Sequence, residues 1–199
     1  MQIRDVKRRA LMLLQEWFNN GQKQPERDMA DYLYSMDDFI DMAQKQIATK
    51  YPIYSTFEIE QDEKTIKSIN KYEMPEDYYA LDKIMYENGD IYEEFFDFHW
   101  EGNKVLVLPA VEGKFIVHYK KMPSTITFDE ENVNKNDELE LEVDISVQYL
   151  VPIYCAAMAI LPEQPTIGTM KLNEYYSLLN GLSIPEQPGI SVIKNMLGW

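Results

Sequence analysis

Residues Trp100–Pro109 read W-E-G-N-K-V-L-V-L-P, and Phe115–Phe128 read F-I-V-H-Y-K-K-M-P-S-T-I-T-F. An acidic loop follows, then L-E-L-E-V-D at Leu139–Asp144 and the apolar run L-V-P-I-Y-C-A-A-M-A-I-L at Leu150–Leu161. Glu101-Gly102-Asn103 has turn chemistry and leads into a strand over Val105–Leu108. Glu112-Gly113 is a further turn, after which Phe115, Val117 and Tyr119 share one face of a strand and Ile116 and His118 the other. Val143, Val147, Leu150, Tyr154, Ala157 and Leu161 then recur at helical spacing. Pro152 lies inside that span, so the helix either starts near Val151 or kinks there. Strand, strand, Pro-x-x-Ile-Thr loop and acidic entry into an apolar helix make this stretch a sheet-to-helix junction.

Upstream, Ile3, Val6, Ala10, Leu13 and Trp17 alternate at spacings of three and four, which predicts an amphipathic helix over 3–18. Met29, Leu33, Met36, Ile40, Ala43 and Ile47 predict a second over 28–50, with Asp28 as N-cap and Tyr51-Pro52 as its stop. Asp31, Asp37, Asp38, Asp41 and Lys45 are expected on its surface. The two helices suggest an αα-hairpin. From Tyr54 the period changes to two: Phe57 and Ile59 alternate with Glu58 and Glu60, and Thr65–Ile69 could return as their partner. Tyr79–Tyr86 reads as a strand, and Asn88-Gly89 as a hairpin turn into Ile91–Phe95. Downstream, Leu172, Tyr176 and Leu179 share one face of a helix over 169–180 that Gly181 ends. The order of helices, strands, helices predicts an α+β fold. It is read as one domain over 1–181: a helical bundle, made of the N-terminal helix pair and two C-terminal helices, with a small antiparallel sheet or sandwich inserted at about 54–127. Residues 182–199 read as an extended C-terminal arm.

Charge is segregated. Residues 1–50 hold eight basic and eight acidic side chains, and residues 51–199 carry the whole net charge of −15. Such a surface repels nucleic acid and anionic membranes, although acidity also serves plain solubility. The N-terminal residues lack the layout of a signal peptide. The longest apolar run is too short to span a bilayer, so a soluble protein is expected. The single cysteine, Cys155, lies in an apolar run and reads as a buried structural residue.

Motifs for chemistry are missing. Neither His99 nor His118 belongs to a metal motif, and no Gly-rich phosphate loop or G-x-S-x-G elbow is present. No cofactor, metal or catalytic residue is expected. Between Tyr72 and Trp100, tyrosines and phenylalanines alternate densely with acids, and Lys83 is the one basic residue. This segment reads either as a strand face of core aromatics or as an interaction surface, with Tyr92, Phe95, Phe96, Phe98 and Trp100 as candidates. The C-terminal residues Ile190, Val192, Ile193, Met196, Leu197 and Trp199 must pack on their own subunit or insert into a partner.

Four elements in fixed order resemble the head-to-tail adaptor (connector) proteins of tailed bacteriophages. They are M-P-E-D-Y at Met74–Tyr78, the turn and strand of Trp100–Leu108, the strand-ending tyrosine and Pro-x-x-Ile-Thr loop of Tyr119–Thr127, and the acidic lead into an alanine-rich helix at Glu138–Ala159. The resemblance covers residues 1 to about 180. It implies a non-enzymatic virion protein, assembled in the host cytoplasm, whose subunits form a dodecameric ring beneath the portal. The ring would join portal to downstream tail or nozzle proteins and let genomic DNA pass without specific binding, and the C-terminal arm would contact the portal. The acidic-aromatic middle departs from the simplest adaptors and could face neighbouring tail proteins. Competing readings are another neck or tail structural protein, and an enzyme or carbohydrate-binding module using the acidic-aromatic sheet. Deleting residues 184–199 should leave thermal unfolding cooperative and unshifted while abolishing incorporation into virions. An unfolded truncation product would instead make the arm part of the core.

Overall fold

The computed structural model describes residues 1–20, 29–63, 69–132 and 134–182. The fold is α+β, with four α-helices and two small antiparallel sheets. The helices are α1 (Ile3–Asn20), α2 (Leu33–Lys50, entered from a 3-10 turn at Met29–Tyr32), α3 (Leu150–Ile160) and α4 (Pro165–Asn180). The strands β1 (Ile53–Gln61), β2 (Asn70–Glu73), β3 (Tyr78–Asn88), β4 (Ile91–Glu94), β5 (His99–Glu101), β6 (Val105–Leu108) and β7 (Gly113–Lys121) all lie between α2 and α3.

Helix α3 organises the helical layer. Nine of its eleven residues are buried, which no amphipathic helix allows, and α1, α2 and α4 all pack against it. Of the two expectations for this span, a helix over 142–161 kinked at Pro152 does not form, and a helix that starts near Val151 does. Asp144 accepts hydrogen bonds from the backbone N–H and hydroxyl of Ser146, at 2.8 and 2.5 Å, and holds 144–149 in turns. Pro152 falls in the first turn of α3, where a missing N–H leaves no bond unmade, so the helix starts at Leu150. Val143 and Val147 reach the same core from outside the helix. Helix α4 likewise starts at Pro165, earlier than 169, because proline suits the first helical position. Tyr175 is the fully buried tyrosine of α4, whereas Tyr176 is exposed. A Cβ on Gly168 would stand 2.6 Å from the Leu161 Cα, so this glycine permits the close return of α4 on the end of α3.

The strands form a sandwich. One sheet has the order β1-β7-β3-β4 and the other β2-β6-β5. Ile59, Ile84, Tyr86, Phe115, Val117 and Tyr119 from the first meet Leu106 and Leu108 from the second in one apolar core. The turns at Asn88-Gly89 and Glu101-Gly102-Asn103 close the β3–β4 and β5–β6 hairpins as predicted, with both glycines at positive φ. The Glu112-Gly113 turn closes no hairpin. It carries the chain from one sheet to the other, because β7 pairs with β1 and β3. The partner of β1 is therefore β7. Of the segment expected to pair with β1, residues 65–68 lie outside the described residues and Ile69 is exposed. The strand that follows, β2, pairs with β6 in the other sheet.

Strand β1 leaves the helices and β7 returns to them, and the two are neighbours in register from Ile53↔Lys121 onward. The sandwich thus hangs from one pair of adjacent strands. Residues 122–149 run back over the helices and pair antiparallel with the start of the chain at Gln2↔Glu140.

Two charged side chains on the apolar helix faces are buried and paired. Asp37, expected on the surface, is 1% exposed, and Lys7 is 5% exposed. The Lys7 ammonium lies 2.9 Å from Asp37 and 2.8 Å from Asp137, and Asn136 Nδ2 donates to the second Asp37 oxygen at 2.8 Å. Burial pulls the Lys7 pKa down, but the two carboxylates outweigh it and the net shift is upward. The cluster ties α1, α2 and the 134–137 turn together. Asp28, the expected N-cap of α2, lies outside the described residues. Lys7→Met leaves a buried carboxylate unpaired and should lower unfolding free energy by about 3 kcal/mol in urea titrations. A change under about 0.5 kcal/mol would show the pair to be energetically idle.

Candidate interface surfaces

The aromatic-acidic segment divides into inward and outward residues. Phe95 packs on Tyr86 and Phe115, with centroids 5.9 and 5.0 Å apart. Phe98 meets Trp100 edge to face, and Trp100 lies against Tyr78. These three candidates are partly buried pieces of the sandwich core. Phe96 and Tyr92 point outward, at 74% and 49% exposure. The core reading thus holds for Phe95, Phe98 and Trp100, while Tyr92 and Phe96 lie on the surface.

Phe96 sits on a tight turn. The Phe95 N–H donates to the Ile84 carbonyl at 2.8 Å, and the Phe98 N–H donates to the Phe96 carbonyl at 3.0 Å. With Phe95 and Phe98 both anchored, the ring between them is held away from the sandwich. Glu93, Glu94 and Asp97 are its near neighbours in the chain, all exposed and, among the described residues, without ion pairs.

A second surface was missed in the sequence. A groove of about 410 Å³ lies between α1, the start of α2 and the 134–137 turn. Leu11, Met12 and Leu33 are its apolar lining, and Arg4, Lys7 and Arg8 its basic one. Met12 is 61% exposed. Arg4 pairs with Glu138 at 2.8 Å, and Lys7 is taken up by Asp37 and Asp137. Arg8 is exposed and, among the described residues, unpaired. The signal was present in the charge count: the excess acid of the chain is absent from its first fifty residues.

Between helices and sandwich lies a polar junction. Glu142 accepts from Lys121 Nζ at 2.6 Å and from the Ser124 N–H at 2.8 Å, while its own N–H donates to Gln44 Oε1 at 2.8 Å. Asp41 accepts the Ile126 N–H at 3.0 Å and pairs with Lys45 at 2.7 Å. The junction fixes the strand that leaves the sandwich against α2.

Complete burial pushes the Cys155 thiol up, away from the reactive thiolate. His118, on the outer face of β7, has its pKa lowered by burial and then by Lys83. Burial likewise raises the Tyr175 hydroxyl, which stacks on Tyr154 at 5.0 Å. Among the described residues no three His, Cys, Asp or Glu side chains converge on a possible metal site, and no helix is long and apolar enough to cross a membrane. The arm candidates Ile190, Val192, Ile193, Met196, Leu197 and Trp199 lie outside the described residues.

The chain matches no protein-family model and no curated protein.

The junction sets a pH dependence. Burial pushes the Glu142 carboxyl up, but Lys121 and Ser124 outweigh it and hold the group below the usual carboxylate range. A carboxyl lowered on folding adds stability above its unfolded pKa and loses it as pH falls through the folded one. The loss begins near the ordinary value of 4.5 and grows below it. Glu142→Gln should remove about 1–2 kcal/mol at pH 7 and flatten the acid limb of thermal stability below about pH 4.5. Parallel wild-type and variant curves through that limb would contradict this role.

Proposed function

We propose that the protein is a structural subunit of the head-to-tail junction of a tailed bacteriophage, an adaptor without enzymatic activity. Its copies would form a ring, a dodecamer by resemblance, that docks on the portal and continues the DNA channel toward the tail. The reading is carried by one contact. Tyr119 donates to Asp77 at 2.9 Å, and the Met122 N–H donates to the Asp77 carbonyl at 2.8 Å. Two of the sequence elements that carry the resemblance, Met74–Tyr78 and Tyr119–Thr127, are thus clasped together at one end of the sandwich. An ordered helix–sandwich–helix chain with outward aromatic and basic surfaces suits a subunit whose work is contact. The net charge of −15 suits a channel wall, because like charge lets DNA pass without adhering. The protein would act in the virion, and the portal and downstream tail or nozzle proteins would be its partners.

Mixed with the portal protein of the same phage, the chain should appear in electron micrographs as a second ring stacked coaxially on the portal ring. Portal rings that stay bare at saturating chain concentration would overturn the reading.

A further inference from the structure

We propose that the α1 groove receives the Phe96 turn of a second copy of this chain, so that copies join head to tail. This deepens the ring reading, from which the second copy is taken as the occupant. The two surfaces lie on different parts of the chain, one among the helices and the other on the sandwich. A contact between unlike surfaces is heterologous and propagates, closing into a ring when the rotation between copies allows it.

The fit is both apolar and electrostatic. Phe96 is the most exposed phenylalanine among the described residues, and the core positions of Phe95 and Phe98 hold it in place. A large apolar ring presented on a preordered turn loses little freedom on docking, as interface anchors require. Leu11, Met12 and Leu33 give the groove an apolar floor, and its volume of about 410 Å³ has room for such a ring. The charges that remain are opposite in sign. Arg4 is neutralised by Glu138, and Lys7 by Asp37 and Asp137, so Arg8 is the groove's one cation without an ion pair among the described residues. Glu93, Glu94 and Asp97 put three exposed carboxylates within three residues of Phe96 in the chain, without ion pairs among the described residues. In a chain with net charge −15, like surfaces repel, and the Arg8 guanidinium gives an acidic loop of another copy a point of attraction on this groove.

The test is charge reversal in the full chain, read by sedimentation velocity and mass photometry. Arg8→Glu and Asp97→Arg each place like charges across the contact and should each weaken assembly on the order of tenfold or more. Phe96→Ala should do the same by removing the anchor. All three side chains are exposed, so circular dichroism and thermal unfolding should stay unchanged. Mixing the two charge-reversed proteins should restore assembly. The carboxylate introduced by Arg8→Glu then meets the guanidinium introduced by Asp97→Arg, and native grooves meet native loops in alternation. Assembly of each single variant at wild-type concentration overturns the inference and leaves the ring reading standing. So does failure of the mixture to recover, or loss of portal binding alone with self-assembly intact, which would make the portal the occupant of the groove. A wild-type chain that is monomeric at every concentration overturns it as well. Assembly that follows this pattern in a protein that never binds portal would keep the contact and overturn the proposed function.

Discussion

The helical layer depends on one constraint: α3 is too apolar to present any face to water. Its sequence has no charged residue between Leu150 and Leu161, and burial extends around its whole circumference. A helix of this kind is stable only when neighbours enclose it. Helices α1, α2 and α4 supply them, and the loop residues Ile126, Leu141, Val143 and Val147 close the gaps between. The rest of the chain is arranged around that need. The segment 122–149 must run over the helices before α3 can start, and the return of α4 needs a residue without a side chain at Gly168.

The sandwich is attached with little covalent freedom. Its first and last strands are adjacent, so the insertion enters and leaves the helical layer at one place, as tolerated insertions do. Glu142 and Asp41 then pin the outgoing strand to α2 through backbone N–H groups, where geometry is strict. Two separate apolar cores are thereby joined by a hydrogen-bonded seam. This explains how the sandwich can hold the acidic-aromatic turn at a fixed place relative to the groove on α1. That fixed separation is what a repeating contact between copies requires.

Local order was legible in the sequence, and pairing at a distance was not. The period of three and four located α1 and α2, and the Asn-Gly and Gly-Asn turns located two hairpins, because each signal is complete within a few residues. The β1–β7 pair was illegible because residues far apart in the chain choose each other by shared burial, which no local pattern records. Asp37 was misplaced because a carboxylate inside an apolar stripe reads as surface unless its cation is known. Its partner Lys7 lies on the buried face of α1, three residues before Ala10 and four after Ile3, and that spacing was the available clue. The groove on α1 was missed for a related reason: Arg4 and Arg8 are ordinary helix residues until the fold sets Leu33 and the 134–137 turn beside them. Of the aromatic candidates, alternation could not say which rings turn outward, since the turn at Phe96–Phe98 breaks the strand period.

The exposed Phe96 turn lies on the sandwich and the α1 groove among the helices, and the one cysteine thiol is buried and held protonated. The central claim, that copies of the chain assemble into a closed ring, is tested most directly by native mass measurement of the wild-type protein. The account predicts one dominant species at a fixed integer multiple of the 23.4 kDa chain, cyclic in electron-microscopic averages. A single 23.4 kDa species at all concentrations, unchanged by portal protein, would contradict it.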